Sequence, residues 1–153
     1  MWVLTTDAVV VLLAACAASD VAQRHIPNSL VVAVAVAGLA LSSQLGMLGL
    51  GRAVAGSTVA GLVGIMAWRA GLIGGGDAKL LIACASAVGL GRLPSFFAAV
   101  ALAGGSLALT QWLVQAVARS TWRSKQSPAT TTPVVGMPYG VAIGVGTVAT
   151  MLR

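Results

Sequence analysis

The sequence predicts an all-α membrane protein in which about six transmembrane helices form a single bundle. Of its 153 residues, 58% are hydrophobic and only 8% are charged, and the mean hydropathy is +0.97. Soluble globular domains carry about 25% charged residues. The apolar residues also fall into segments close to the roughly 20 residues that a helix needs to cross the hydrocarbon layer. We therefore expect one membrane-embedded domain over residues 1–153.

Charged residues, prolines and turn-forming clusters divide the chain into six apolar segments. The fourth segment is short, so it spans only if Lys79 and Arg92 extend toward the headgroups, or if the preceding glycines lie partly at membrane depth. All six segments are rich in alanine, glycine and serine, the small residues that let helices approach closely in lipid. The predicted spans are residues 2–19, 29–46, 53–68, 78–91, 95–118 and 134–152.

The two cysteines indicate neither a metal site nor a disulfide framework. Cys16 and Cys84 lie inside apolar segments and form no C-x-x-C pair, and one histidine with three carboxylates supplies few metal ligands. We therefore expect no metal and no cofactor. The LAAC stretch that ends at Cys16 resembles a lipoprotein signal, but such signals begin with basic residues. Here the first basic residue is Arg24, so the first segment is predicted to remain as a span.

The basic residues predict how the chain is oriented. They are scattered singly between apolar segments, a pattern that indicates loop charges rather than a nucleic-acid surface. Lysine and arginine are enriched in cytoplasmic loops. The loops after the first, third and fifth spans are therefore predicted to be cytoplasmic, with both chain ends outside. That side holds Arg24, Arg69, Lys79, Arg119, Arg123 and Lys125, against Arg52, Arg92 and Arg153 on the other.

Two of the three acidic residues fall on the same predicted face. Asp20 ends the first span and Asp77 begins the fourth, whereas Asp7 lies near the opposite face. Ionisable residues at membrane depth are costly, and they mark functional sites by default. Two neighbouring carboxylates do not both ionise easily, so one holds a proton while the other stays charged. Aspartic proteolysis requires that state, because one acid activates water and the other donates a proton.

Other roles fit the same acids and remain open at this point. Asp77 is placed to cap the fourth helix, and Asp20 is placed to pair with Arg24 at i,i+4 spacing. A small transporter or proton channel would use both acids as a relay. A non-catalytic scaffold within a secretion machine would need neither.

Three consecutive glycines, Gly74, Gly75 and Gly76, precede Asp77. Each lowers helix stability by about 1 kcal/mol relative to alanine. Without a Cβ the backbone can adopt φ > 0 and lie close to another chain, as an extended peptide substrate requires. We expect the glycines to shape a substrate-binding loop, with a plain interhelical turn as the alternative.

Three motifs together resemble the prepilin peptidases, also called type IV leader peptidases. The first is G-x-G-D at Gly74 to Asp77, and the second is D-x-x-x-R-x-I-P-N at Asp20 to Asn28. The third is PYGVAIG at Pro138 to Gly144, which is similar to the start of that family's last span. They occur in the family's order, and the resemblance covers essentially the whole chain.

The resemblance implies an intramembrane aspartic protease with Asp20 and Asp77 as the catalytic pair, and Gly74 and Gly76 shaping the loop beside Asp77. Family members reside in the bacterial inner membrane and cut a short basic leader from pilin-like precursors at its cytoplasmic face. Longer members also carry paired C-x-x-C motifs and N-methylate the product with S-adenosylmethionine. This sequence resembles the short, peptidase-only form of tight-adherence (Flp-type) pilus systems, so no methyltransferase activity is expected.

Four further residues are predicted to shape the loops or bind substrate. Pro27 ends the loop before the second span, and Asn28 or the serine after it is expected to cap that span. Arg24 and Lys79 are expected to contact lipid phosphates or to tune the pKa values of the two acids.

Overall fold

The computed structural model describes residues 2–23, 26–121 and 139–151, and nearly all of them are helical. A 3-10 turn at Leu90–Arg92 joins the fourth and fifth helices. The described part of the chain contains no strand. The helices are α1 (Trp2–Gln23), α2 (Asn28–Ser43), α3 (Gly46–Arg69), α4 (Gly75–Val88), α5 (Leu93–Thr121) and α6 (Tyr139–Met151).

Within the described residues, three helical segments are long and apolar enough to cross a membrane, by length and composition. They are Leu4–Gln23, Gly46–Arg69 and Leu90–Val117, and two shorter apolar helices are Asn28–Ser43 and Tyr139–Met151. The predicted all-α membrane fold is therefore confirmed.

Helix α4 lies at the centre of the bundle. It packs against α2, α3 and α6, and half of its residues are buried, around most of its circumference. Such a helix is apolar nearly all round because every face meets protein. With 14 residues it is about 21 Å long, less than the ~30 Å hydrocarbon thickness. It ends at Gly89, whose φ of 73° and ψ of 164° form a conformation that glycine adopts readily.

Several helix ends differ from the predicted span ends. Helix α1 continues one turn past residue 19, so Asp20 lies inside the helix instead of after it. Helix α3 begins at Gly46 rather than near residue 53. The predicted boundary at Arg52 is wrong because an exposed charged side chain leaves the helical backbone hydrogen bonds intact. The sixth predicted span, 134–152, is described only over Tyr139–Met151.

Small residues bring the helices into close contact, as the composition predicts. Gly38 of α2 faces Ser86 of α4 so closely that a methyl group on Gly38 would overlap the serine Oγ. A methyl group on Gly146 of α6 would lie 2.6 Å from Val100 Cγ2 of α5. The Ser42 hydroxyl donates a hydrogen bond of 2.8 Å to the Ser86 carbonyl. Close packing and interhelical hydrogen bonds are the interactions that hold helices together in lipid.

Candidate active site

The carboxylate of Asp20 continues the buried stripe of α1. Val9, Leu13 and Cys16 are buried at helical spacing, and Asp20 is the next position on that face. Its side chain is only 8% exposed. The helical period therefore turns the acid toward the bundle interior, where most of the buried side chains are apolar.

Asp20 accepts a hydrogen bond from the first turn of α6. The Gly140 N–H donates to Asp20 Oδ2 at 2.8 Å. The first N–H groups of a helix have no partner within it, and the helix dipole favours an anion at this end. A Cβ on Gly140 would lie 2.7 Å from the same oxygen and 3.1 Å from Asp20 Cβ. Gly140 is thus a site residue to which the sequence assigned no role, although it lies within the PYGVAIG motif.

Asp77 is the third residue of α4, and it caps that helix from within. Gly74 is the N-cap, with φ of −72° and ψ of 154°, and its backbone forms a hydrogen bond with the Asp77 carboxylate. An acid at the third position that binds the N-cap N–H is one half of a capping box. The alternative in which Asp77 is itself the N-cap therefore does not hold, although its carboxylate does make a capping contact.

The three glycines do not adopt positive φ angles. The described residues that do are Gly46, Gly71 and Gly89, and Gly71 makes the turn after α3 with φ of 72°. Gly75 and Gly76 belong to the first turn of α4. The conformational freedom of Gly74, Gly75 and Gly76 is therefore not used for a positive φ, and the turn before α4 is made at Gly71.

Gly74 and Gly76 differ in the space that surrounds their Cα atoms. A Cβ on Gly74 would lie 3.0 Å from Asp77 Oδ2, whereas a Cβ on Gly76 would meet no atom within 4 Å. Gly74 thus leaves room for the carboxylate. Gly76, which is exposed, leaves an open backbone surface directly before it.

The two acids act on each other electrostatically. Asp77 precedes the predicted fourth span and lies outside the three helical segments long enough to cross a membrane. The pKa of Asp77 is raised from 3.8 to about 6, mainly by burial and secondly by the negative charge of Asp20. The hydrogen bond from the Gly74 backbone acts in the opposite direction and lowers the pKa. Burial and the charge of Asp20 both disfavour the ionised form. The structure therefore brings Asp20 and Asp77 to the same end of the bundle, near enough to interact.

Lys79 and Asn28 come together beside this end. Lys79 Nζ donates to Asn28 Oδ1 at 3.2 Å on the exposed surface. The N-cap of α2 is Pro27, without a side-chain capping bond, and the Pro27 carbonyl accepts the Leu30 N–H at 3.0 Å. The prediction that Asn28 caps α2 is therefore wrong, because proline takes that position. Arg24, and hence its predicted pairing with Asp20, lies outside the described residues.

Fold and site together define a class: a helical membrane protein with two interacting carboxyl groups at one end of its bundle. Residues 8–109, more than half of the chain, match the type IV leader peptidase family. The chain belongs to that family, whose members are peptidases. The matched range includes both Asp20 and Asp77 and ends before α6. No curated protein and no solved structure matches the chain.

Proposed function

We propose that the chain is an intramembrane aspartic endopeptidase that removes the short basic leader from type IV prepilins or pilin-like precursors. Asp20 and Asp77 form its catalytic pair. The observation that carries the proposal is the buried Asp20, whose charge raises the pKa of Asp77. Pairs of titratable groups in unlike environments mark acid and base assignments.

The proposed reaction divides the proton transfers between the two acids. Asp20 uses Oδ2 to accept the Gly140 N–H, which leaves its other oxygen to take a proton from the attacking water. Asp77 binds a proton at a higher pH than an ordinary aspartate does, so it supplies the proton. That proton first goes to the oxyanion formed as water adds to the peptide carbonyl. When the C–N bond breaks, the proton that Asp20 took from water goes to the leaving amine, and a hydroxyl proton of the intermediate returns to Asp77 as the new carboxyl group forms.

The scissile peptide is proposed to lie beside the start of α4. Gly76 presents open backbone there, and an extended chain can approach a residue without Cβ closely. The site end of the bundle faces the cytoplasm in this proposal, in a multi-pass protein of the bacterial inner membrane. The preference for lysine and arginine in cytoplasmic loops supports that orientation.

Gly76→Ala is expected to weaken substrate binding without destabilising the fold. The methyl group meets no protein atom within 4 Å, so helix propensity should raise the stability of the fold by up to about 1 kcal/mol. If the leader lies there, the added methyl group should raise KM about ten-fold through overpacking against substrate. Steady-state cleavage kinetics and thermal unfolding measure both effects. An unchanged KM would place the leader elsewhere.

We further propose that the substrates are small Flp-like pilins and that this chain cleaves them without methylating the product. The resemblance to the short, peptidase-only family members supports this. The product's mass distinguishes the two outcomes, because N-methylation adds one methyl group to the new amino terminus. A methylated product formed by the purified protein with S-adenosylmethionine would contradict this part of the proposal.

Cleavage itself is tested with the purified protein in liposomes and a Flp-like prepilin. The expected result is one cut at the end of the basic leader, identified by mass spectrometry, with no proton leak across the liposome membrane. Proton or solute flux without cleavage would overturn the peptidase proposal in favour of a transporter or channel.

A further inference from the structure

A pocket lies at the end of the bundle opposite the two acids. It has a volume of about 310 Å³. Thr6 near the start of α1, Val88 at the end of α4 and Met151 at the end of α6 all line it. Since Asp20 lies near the end of α1 and Asp77 near the start of α4, the full length of the bundle separates this pocket from the candidate active site.

Two arginines, Arg52 of α3 and Arg92 of the 3-10 turn, line this pocket. Both are exposed, and neither forms an ion pair with any residue in the part of the chain that the structure describes. Among the described residues, the one hydrogen bond made by either side chain is long, from Arg92 Nη1 to the Thr150 carbonyl at 3.5 Å. The described residues that line the pocket include no carboxylate. Within this part of the chain, most of the guanidinium donors are thus available to bind an anion.

Close packing holds together the two backbone segments that carry these arginines. The turn that carries Arg92 begins at Gly89, and a Cβ on Gly89 would lie 3.7 Å from Arg52 Cβ. One helical turn further along α3, a Cβ on Gly56 would lie 3.0 Å from the Leu90 nitrogen. The two side chains therefore start from adjacent, closely packed segments of backbone.

The remaining wall of the pocket is mainly apolar. Leu41 of α2 and Leu45, the N-cap residue of α3, contribute to it, together with Val88 and Met151. A pocket with cationic side chains beside an apolar wall complements an amphiphile with an anionic head. Free inorganic phosphate would match only the arginines.

We propose that this pocket binds an anionic phospholipid, with its headgroup phosphate between Arg52 and Arg92 and an acyl chain along the apolar wall. Guanidinium groups bind phosphate oxygens through paired N–H donors. The charge pattern predicts three basic residues on the non-cytoplasmic side, and this site gives a role to two of them, Arg52 and Arg92. It is independent of the proposed peptidase function, because it shares no residue with the acid pair.

Native mass spectrometry of the purified protein tests the proposal, with an equal mixture of phosphatidylglycerol and phosphatidylcholine. The wild type should retain one phosphatidylglycerol in preference to phosphatidylcholine. Each of Arg52→Gln and Arg92→Gln should weaken retention about five-fold, since one basic residue contributes about 1 kcal/mol to binding anionic lipid. Arg69→Gln, which changes an exposed arginine at the other end of α3, is the matched control and should retain the lipid as the wild type does.

Two further arms keep the test decisive. The double variant Arg52→Lys, Arg92→Lys keeps the charge and should retain more phosphatidylglycerol than the double glutamine variant, with the same helical content by circular dichroism. Inorganic phosphate at millimolar concentration should not displace the lipid. The proposal is overturned if the double glutamine variant retains phosphatidylglycerol as the wild type does. It is also overturned if inorganic phosphate competes the lipid off, because the apolar wall would then contribute nothing.

Discussion

Asp20→Asn and Asp77→Asn are each expected to lower the rate of leader removal by about 10³-fold, within the range that general acid–base catalysis contributes. Asparagine keeps the shape of the side chain but can neither take a proton from water nor supply one to the leaving group. The measurement is the rate of conversion of a cognate prepilin, by gel shift, after co-expression or with the purified enzyme.

Asp7→Asn is the matched control for these substitutions. Asp7 is the only other acidic residue in the chain, and it is exposed near the start of α1, at the other end from Asp20. Its variant should cleave at the wild-type rate. The double variant of Asp20 and Asp77 should be about as slow as either single variant, because groups that act as a unit show non-additive effects. Wild-type processing by a folded Asp20→Asn or Asp77→Asn variant would remove that acid from the mechanism.

Gly140→Ala is expected to reduce cleavage about 100-fold, since a displacement of about 1 Å at a catalytic group can have an effect of that size. The new methyl carbon would lie 2.7 Å from Asp20 Oδ2, so the carboxylate must move and its hydrogen bond to the Gly140 N–H must lengthen. Overpacking at this buried position should also destabilise the fold by roughly 1–3 kcal/mol. Cleavage kinetics and thermal unfolding report the two effects separately.

Gly144→Ala is the control within the same helix. Gly144 is also buried in α6, but a Cβ there would meet its nearest neighbours, in Leu13, at 3.9 and 4.0 Å. That is ordinary van der Waals contact, so Gly144→Ala should retain activity and stability. If the two alanine variants behaved alike, close contact between Gly140 and Asp20 would have no functional importance.

The sequence could predict that the two acids lie at one end of the bundle, but not their places within α1 and α4 or the hydrogen-bond partner of Asp20. Asp20 and Asp77 stand out because ionisable residues are rare in apolar segments, and their motifs identify the family. The bond from Gly140 to Asp20 joins residues 120 positions apart. It depends on how α6 packs against α1, and no local pattern encodes that packing.

The ends of the helices could also not be predicted from local sequence alone. The third span is predicted to begin only after Arg52, because charges usually mark loops, yet α3 begins at Gly46 and includes Arg52 with its side chain exposed. The glycine stretch was expected to form an irregular loop, yet two of its residues begin α4. The local sequence gives the intrinsic helix propensity of each residue. Whether an unfavourable residue lies in a helix depends on how that helix packs against its neighbours around the central α4.

The central claim is that Asp20 and Asp77 form one interacting pair, and a carboxyl titration tests it most directly. The chain has no glutamate and only three aspartates, so ¹³C-carboxyl-labelled aspartate in an Asp7→Asn background gives two NMR signals, assigned with Asp77→Asn. The Asp77 signal should titrate with a pKa of about 6, and Asp20→Asn should lower that pKa because the neighbouring negative charge is lost. An Asp77 pKa near 3.8, or one that Asp20→Asn leaves unchanged, would contradict the pair.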